Sequence, residues 1–326
     1  MFKQSAQHIG TYYAATYGQI PLRPRLQEAL QCDVLIIGGG FSGLHTALRL
    51  ALAGKKVVVL EASRLAWAAS GRNGGQALPG WSCDMPPFEK ALGLERARRL
   101  WDSMVWAADE MRELPTRHNF DIDYRTGAIY TAVLPRRVKQ LQESLEEAEQ
   151  KYGYSQLSFI PKEQLPEWIA SPRYLAALHD SGAAHLNPLK LAQGLATAIE
   201  AAGGQIFEQT KALSYQETAG CYVARTEQGE VRSDVLVLAC NAYLNDLNPQ
   251  IGGKVLPAGS YVIATEPLSA ELAASLIPQN MALCDQRVTV DYYRLSADRR
   301  LLFGGACHYS GRDPADIAAY MRPKML

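Results

Sequence analysis

The chain has 326 residues, of which 48% are hydrophobic and 20% charged, so it carries enough apolar material for packed cores and does not have the composition of a disordered or fibrous protein. Its 33 basic and 33 acidic residues balance, which argues against a nucleic-acid-binding protein and against a polybasic membrane anchor. The length favours two domains, and no apolar run approaches the roughly 20 residues that a membrane span requires.

The first predicted elements form a strand–helix–strand unit behind an N-terminal arm. Residues 1–30 show no clear period and are predicted to be the arm. Residues 32–37 are a β-branched apolar run that stops at three glycines, which is typical of a strand buried on both faces of a parallel sheet. Apolar residues then recur at helical spacing over 42–53, and 57–60 form a second apolar run. A dinucleotide-binding fold requires such a unit.

The rest of the chain alternates predicted helices with short strands. Helical patterns extend over residues 86–117, 136–152 and 188–202. Strand-like runs occupy residues 125–131, several short stretches between 205 and 240, and then 261–265, 288–295 and 301–304. The pattern as a whole predicts an α/β protein.

The six cysteines have no spacing that indicates a metal site or a disulfide framework. The two that are closest in the sequence, Cys221 and Cys240, are 19 residues apart, and no Cys-x-x-Cys occurs. The N-terminus also lacks the apolar segment of a secretory signal. We therefore expect buried free thiols, no metal and a cytoplasmic location.

A glycine motif, Gly38-x-Gly40-x-x-Gly43, lies between the first predicted strand and helix. The first glycine allows a tight turn, the second allows the backbone to approach a pyrophosphate, and the third allows the helix to pack closely on the strand. Glu61, at the end of the next strand, is placed to accept hydrogen bonds from a ribose, which favours FAD or NAD over NADP. An ordinary glycine-rich turn is the alternative.

A second glycine-rich segment follows Glu61 by a few residues. It comprises Ser70, Gly71, Arg72, Asn73, Gly74, Gly75 and Gln76. A loop of this composition can wrap a large flat ligand and offer it hydrogen-bond donors, or it can be a solvated turn. Its position just beyond the ribose-binding strand favours a cofactor loop.

These segments resemble the FAD-binding start of the D-amino-acid oxidase family of flavoproteins. The resemblance rests on residues 38–43, 61–64 and 70–76, and it continues at 127–130, 180–188, 203–208, 241–244 and 265–268. The resemblance is narrowed to an amine-oxidising branch of that family by residues 291–295, 304–305 and 312–314. It spans nearly all of the chain from Tyr12 onward.

The resemblance implies that the chain holds FAD with both glycine-rich segments. The residues expected to contact the cofactor are Gly38, Gly40, Phe41, Ser42, Gly43, Glu61, Ala62, Arg64, the seven residues from Ser70 to Gln76, and the backbone of Ala212 at the adenine.

The resemblance also implies the domain organisation. We expect an α/β fold with a Rossmann-like FAD/NAD(P)-binding domain, formed by residues 31–80 and 180–250, and a discontinuous antiparallel-sheet α+β substrate domain, formed by 81–179 and 251–326. Family members close the flavin domain with a C-terminal strand, a glycine-rich turn and a helix, which nothing here matches. We therefore expect a truncated chain with weakened flavin binding and activity.

The family's chemistry is the oxidation of an amine by hydride transfer to flavin, which gives an imine, then an aldehyde, and hydrogen peroxide. Since only one dinucleotide motif is present, oxygen or a quinone is the expected electron acceptor, and a small amine is the expected substrate. No dedicated acid–base residue is expected, because the flavin carries the chemistry. An NAD-dependent dehydrogenase and a non-catalytic, flavin-poor remnant are the two alternatives.

Substrate contacts are expected near the end of the chain. Tyr292, Tyr293 and Arg294 combine phenols with a guanidinium group that can clamp a carboxylate while aromatic side chains exclude water. They can equally be ordinary residues of a sheet. His308, close behind two glycines, is a weaker candidate, since a single histidine is more often structural.

Overall fold

The computed structural model describes residues 5–244, 247–287, 290–310 and 312–325, and these form two compact units. The first unit contains Met1–Asn73, Pro188–Gly259 and His308–Asp313. The second unit contains Gly74–Asn187, Ser260–Cys307 and Pro314–Leu326. Each unit therefore consists of segments that are far apart in the sequence.

Strands and helices alternate along the chain. The strands are β1 (Ala29–Ile37), β2 (Val57–Leu60), β3 (Gln76–Ala77), β4 (Arg125–Ala132), β5 (Leu157–Pro161), β6 (Ala176–His185), β7 (Gln205–Phe207), β8 (Ser214–Thr218), β9 (Cys221–Arg225), β10 (Glu230–Leu238), β11 (Gly259–Ala264), β12 (Ala282–Asp285), β13 (Tyr292–Leu295) and β14 (Leu301–His308). The helices are α1 (Tyr12–Tyr17), α2 (Phe41–Leu52), α3 (Met85–Leu92), α4 (Leu94–Arg117), α5 (Pro135–Tyr152), α6 (Pro188–Ala201), α7 (Pro249–Gly252), α8 (Ala270–Leu276) and α9 (Ile317–Met325).

The sheet of the first unit has the strand order β7-β2-β1-β10-β9-β8. The first four strands run parallel, whereas β9 and β8 are antiparallel. β1 lies in the middle of the parallel part because its residues are apolar on both faces, and Leu35, opposite Val58 and Leu236, is fully buried. α2 packs against β1, β2 and α6 with the residues that its helical period predicts, which are Leu44, Ala47, Leu48 and Ala51.

The C-terminal half of β10 has a strand neighbour on one side only. Its register with β9 ends at Ser233, whereas its register with β1 continues to Leu238. Val235, in this half of the strand, is 49% exposed. Within the described residues, β10 therefore presents an unpaired apolar edge.

The sheet of the second unit has the order β11-β14-β13-β12-β4-β6-β3, and β5 pairs with β6. The sequence predicted an antiparallel sheet here, but it is mixed, because β4 and β12 run parallel with Ile129 opposite Leu283. These two strands come from distant parts of the chain, so no hairpin sets their relative direction. Both residues belong to the main apolar core of this unit, together with Ile160, Ile277 and Leu295.

Three predicted elements have different bounds in the structure. The single helix expected over residues 86–117 is divided into α3 and α4, because Gly93 has a φ of +80°, outside the helical region. β13 begins at Tyr292, and residues 288 and 289 of the predicted strand lie outside the described part of the chain. β14 continues past the predicted end to His308.

The two units also differ from the predicted domains at their boundaries. Residues 74–80, expected in the FAD-binding domain, belong to the second unit because β3 pairs with β6. The expected boundary at residue 180 would cut β6, and the second unit instead continues to Asn187. Of residues 1–30, expected as a separate arm, the described residues 5–30 are grouped with the first unit, where α1 contacts α6.

Candidate functional site

The glycine turn between β1 and α2 leaves backbone where side chains would otherwise stand. Gly38 has a φ of +115°, and a Cβ at this position would meet the carbonyl oxygen of Ala239, so only glycine fits. A Cβ at Gly43 would collide with the carbonyl oxygen of Gly38, so the third glycine of the motif allows α2 to approach the turn. Gly40, the N-cap of α2, has no side chain to occupy the helix N-terminus, where N–H groups can bind phosphate.

Glu61 follows β2 and lies beside this turn. Its Oε2 accepts a hydrogen bond from the N–H of Gly39 at 2.7 Å, and its Oε1 accepts one from the N–H of Ser63 at 2.8 Å. Burial raises the pKa of Glu61, and the two main-chain donors partly oppose that rise. Burial and the nearby charge of Glu61 raise the pKa of Cys240 to about 11, so this thiol stays protonated at neutral pH.

The first half of the second glycine-rich segment is bonded to the start of α2. Ser70 Oγ accepts a hydrogen bond from the N–H of Phe41 at 3.0 Å, which brings the two predicted cofactor segments together. Asn73 closes the turn, because its side-chain amide donates to the carbonyl oxygens of Ala69 and Ser70. The hydroxyl of Tyr13 donates to the carbonyl oxygen of Asn73 at 2.8 Å.

Arg72 lies over an aromatic pair that the sequence reasoning did not include. Its guanidinium carbon is 4.9 Å from the centroid of the Trp67 ring, and Trp67 in turn contacts Tyr243 edge to face. The indole N–H of Trp67 donates to the carbonyl oxygen of Gln7 at 3.0 Å. The N-terminal segment is thus in contact with the predicted cofactor loop.

The second half of the segment belongs to the second unit and is held there by Arg294. The guanidinium group donates from Nε to the carbonyl oxygen of Gly74 at 2.6 Å, from Nη2 to that of Leu186 at 2.8 Å, and from Nη1 to that of Leu295 at 3.2 Å. Arg294 is only 3% exposed. These contacts give Arg294 a structural role, and the carboxylate clamp predicted for it remains a prediction.

Gln76 ends this segment and fastens it to β12, the central strand of the sheet. Its side-chain amide donates to the carbonyl oxygen of Leu283 at 2.9 Å, and its Oε1 accepts from the thiol of Cys284 at 2.8 Å. The thiol therefore acts as a buried donor, and burial raises the pKa of Cys284 to about 12.

Tyr292 and Tyr293 lie on opposite faces of β13, so the aromatic wall expected from this pair does not form. The ring of Tyr292 lies so close to Gly74 that a Cβ on this glycine would overlap it. Tyr293 instead packs against the main core of the unit, and its hydroxyl bonds that of Tyr174 at 2.8 Å. Side chains alternate along a strand, so Tyr292 shares its face with Arg294 rather than with Tyr293.

The remaining predicted residues are divided between packing and polar contacts. Ala212 is buried in an apolar cluster with Leu35 and Leu60. Nδ1 of His308 contacts the hydroxyl of Ser310 at 2.9 Å. The guanidinium group of Arg64 is bonded to Glu208, a fully buried carboxylate that was not among the predicted site residues.

The glycine turn fits a dinucleotide. A glycine turn at a helix N-terminus, with a carboxylate at the end of the adjacent strand, is the donor and acceptor set that a pyrophosphate and a ribose need. Among the described residues, no group of three or more His, Cys, Asp or Glu side chains could hold a metal ion. Within the same residues, no helix is long and apolar enough to cross a lipid bilayer.

Comparisons with known proteins bear on the family and the fold. The family model described as FAD dependent oxidoreductase matches residues 33–326. The gamma-glutamylputrescine oxidoreductase of Escherichia coli (strain K12) is 41% identical over 321 residues, which cover 98% of this chain and 75% of that protein. The probable oxidoreductase OrdL of Haemophilus influenzae is 37% identical over 324 residues, with 98% and 74% covered. Glycine oxidase from Geobacillus kaustophilus has the same fold, with a TM-score of 0.68, 20% identity, and coverage of 91% of this chain and 77% of that one.

Proposed function

The chain belongs to the family of FAD-dependent oxidoreductases, and we propose that it oxidises a carbon–nitrogen bond of an amine, with gamma-glutamylputrescine as the substrate. The observation that carries the proposal is the 41% identity to gamma-glutamylputrescine oxidoreductase over 98% of the chain. The family match confirms the resemblance found in the sequence and disfavours an NAD-dependent dehydrogenase. It leaves the substrate and the acceptor as proposals.

FAD, when bound, supplies the oxidising chemistry, in which the amine loses a hydride from carbon and a proton from nitrogen and the resulting imine is hydrolysed to an aldehyde and ammonia or an amine. We propose oxygen or a quinone as the acceptor of the two electrons, with hydrogen peroxide as the product from oxygen. The glycine turn and the N-terminus of α2 would bind the pyrophosphate, and Glu61 would accept hydrogen bonds from the ribose.

Tyr292 is the residue that we propose as a substrate contact. Its ring packs against Gly74 in the cofactor loop, and burial raises its pKa, so its hydroxyl remains a neutral donor and acceptor at pH 7. Arg294 supports this face by holding the loop at Gly74 and Leu186. No side chain is assigned as a general base, because an unprotonated amine can lose its hydride without one.

The proposal is tested by mixing the FAD-loaded protein with substrate under anaerobic conditions and following the loss of oxidised-flavin absorbance. Gamma-glutamylputrescine should reduce the flavin at least tenfold faster than sarcosine or D-alanine at equal concentration. This measurement does not depend on the acceptor, and a parallel peroxide assay in air then tests oxygen. Reduction that is equally fast with sarcosine or D-alanine would contradict the proposed substrate.

Two tyrosine variants separate a substrate contact from general packing. Tyr292→Phe removes a hydroxyl beside the cofactor loop, whereas Tyr174→Phe removes a buried hydroxyl elsewhere in the same unit. We expect the first variant to raise KM for gamma-glutamylputrescine at least threefold and the second to leave KM unchanged. Equal effects on KM would remove Tyr292 from the site.

A further inference from the structure

A buried carboxylate in the first unit bonds the N-terminal segment to the loop that follows Glu61. Glu208, the residue after β7, is 0% exposed. Its Oε2 accepts hydrogen bonds from the N–H of Arg23 and from Nε of Arg64, both at 3.0 Å, and its Oε1 accepts one from the N–H of Leu65 at 2.6 Å. Three donors therefore converge on one carboxylate that has no access to water.

The same cluster fastens the N-terminal segment. Nη2 of Arg64 donates to the carbonyl oxygen of Pro21 at 2.6 Å, and the N–H of Glu208 donates to that of Pro24 at 3.1 Å. Arg23 contacts Glu208 through its main-chain N–H, whereas its guanidinium group pairs with Glu200 at 2.6 Å. Residues 21–24 thus lie across the loop that contains Arg64.

This loop is in direct contact with the dinucleotide cradle. The N–H of Ala66 donates to the carbonyl oxygen of Gly39 at 2.9 Å, and a Cβ on Gly39 would overlap the side chain of Leu65. The main chain next to Glu208 reaches the other side of the cradle, where the N–H of Thr210 donates to the carbonyl oxygen of Glu61 at 2.8 Å. Glu208 is therefore connected to the turn through Leu65 and Ala66, and to Glu61 through Gln209 and Thr210.

We propose that Glu208 is a positioning residue for FAD. By clamping residues 63–66 between the N-terminal segment and β7, its carboxylate sets the distance between the Gly39 turn and Glu61. Arg64 supplies the counterion in a salt bridge with Glu208, because burying a carboxylate without a counterion would be strongly disfavoured. Residues 21–24 accordingly act as part of the cofactor-binding unit, although they precede β1 and carry no nucleotide motif.

If Glu208 only stabilises the fold, its substitution should lower the melting temperature and leave the Kd for FAD unchanged. If Glu208 positions FAD, the Kd for FAD should rise. In Glu208→Gln, one carboxylate oxygen becomes an NH₂ group that faces donor N–H groups, so the clamp opens while the side-chain volume is kept. We expect the Kd for FAD, measured by titrating the full chain with FAD and following flavin fluorescence, to rise at least tenfold. Thermal unfolding of the FAD-free chain serves as the separate measure of stability.

Glu200→Gln is the matched control, because it alters the carboxylate that pairs with the guanidinium group of Arg23 and leaves Glu208 unchanged. This variant should keep its Kd for FAD within twofold of the parent. If Glu208→Gln does not fold, Arg64→Lys takes its place, since a lysine cannot reach Glu208 and Pro21 together, and its Kd should rise at least threefold. The proposal is overturned if the Kd for FAD of Glu208→Gln, or of Arg64→Lys where that variant is used, stays within twofold of the parent, whatever happens to the melting temperature.

Discussion

Replacing Arg294 by lysine separates the structural role seen here from the substrate clamp that the sequence predicted. The arginine donates to three main-chain carbonyl oxygens, which belong to Gly74, Leu186 and Leu295. A lysine keeps the charge, but its single ammonium group cannot match the planar arrangement of donors that spans these oxygens. At least two of the three hydrogen bonds should therefore be lost.

The magnitude follows from the burial of these groups. Arg294 is 3% exposed, so water cannot easily replace the missing donors. A buried carbonyl group that loses its partner costs about 1–3 kcal/mol, so two of them should lower the free energy of unfolding by about 2–6 kcal/mol. The loop at Gly74 would also lose its anchor, and FAD retention should fall with it.

The assay is urea unfolding at constant FAD concentration, combined with steady-state kinetics. Arg299→Lys is the matched control, since Arg299 lies in the same unit and its Nε donates to one main-chain carbonyl oxygen, that of Leu268, at an exposed position. We expect the control to change the free energy of unfolding by less than about 0.5 kcal/mol. If Arg294→Lys leaves stability unchanged and raises KM alone, Arg294 is a substrate clamp and the structural reasoning is refuted.

Two further predictions concern pH and self-association. Burial, together with the positive charge of Arg294, lowers the pKa of His185 to about 3, so the unfolded chain binds a proton below pH 6.5 that the folded chain does not. Stability should therefore decrease as the pH is lowered. Between pH 7 and pH 5, the free energy of unfolding of the parent, measured in urea, should drop by about 2 kcal/mol more than that of His185→Gln. Equal losses in the two proteins would contradict this. We expect the chain to self-associate through the unpaired half of β10. Val235→Lys places a charge on this edge and should reduce the association measured by sedimentation velocity. Unchanged association would show that the chains do not contact each other through this edge.

The local structure of the proposed cofactor site could be predicted from the sequence, because it depends on residues that are close together in the chain. The apolar run of β1, the helical spacing of α2 and the glycine motif between them are all encoded within about thirty residues. The positive φ of Gly38 and the close approach at Gly43 are what such a motif requires. Glu61 follows from the same unit, since it ends the next strand.

The orientations of the two tyrosines on β13 could be predicted only in part from the sequence. Alternation along a strand is a property of the sequence, so the opposite orientations of Tyr292 and Tyr293 could have been anticipated once β13 was recognised as a strand. The sequence could not show which of the two tyrosines faces the predicted cofactor loop. That depends on the pairing of β13 with β12 and β14, which places Gly74 against Tyr292.

The sequence by itself determined the fold class, the cofactor and the position of the glycine cradle, since the steric demands of glycine and the periods of helix and strand act over a few neighbouring residues. Only the tertiary structure decided which polar groups hold that cradle in place. Arg23, Arg64 and Glu208 are far apart in the chain and no local pattern relates them, yet they share one buried cluster. Their interaction exists because the order of strands in the sheet brings the end of β7 beside β2, and burial then makes each donor require an acceptor.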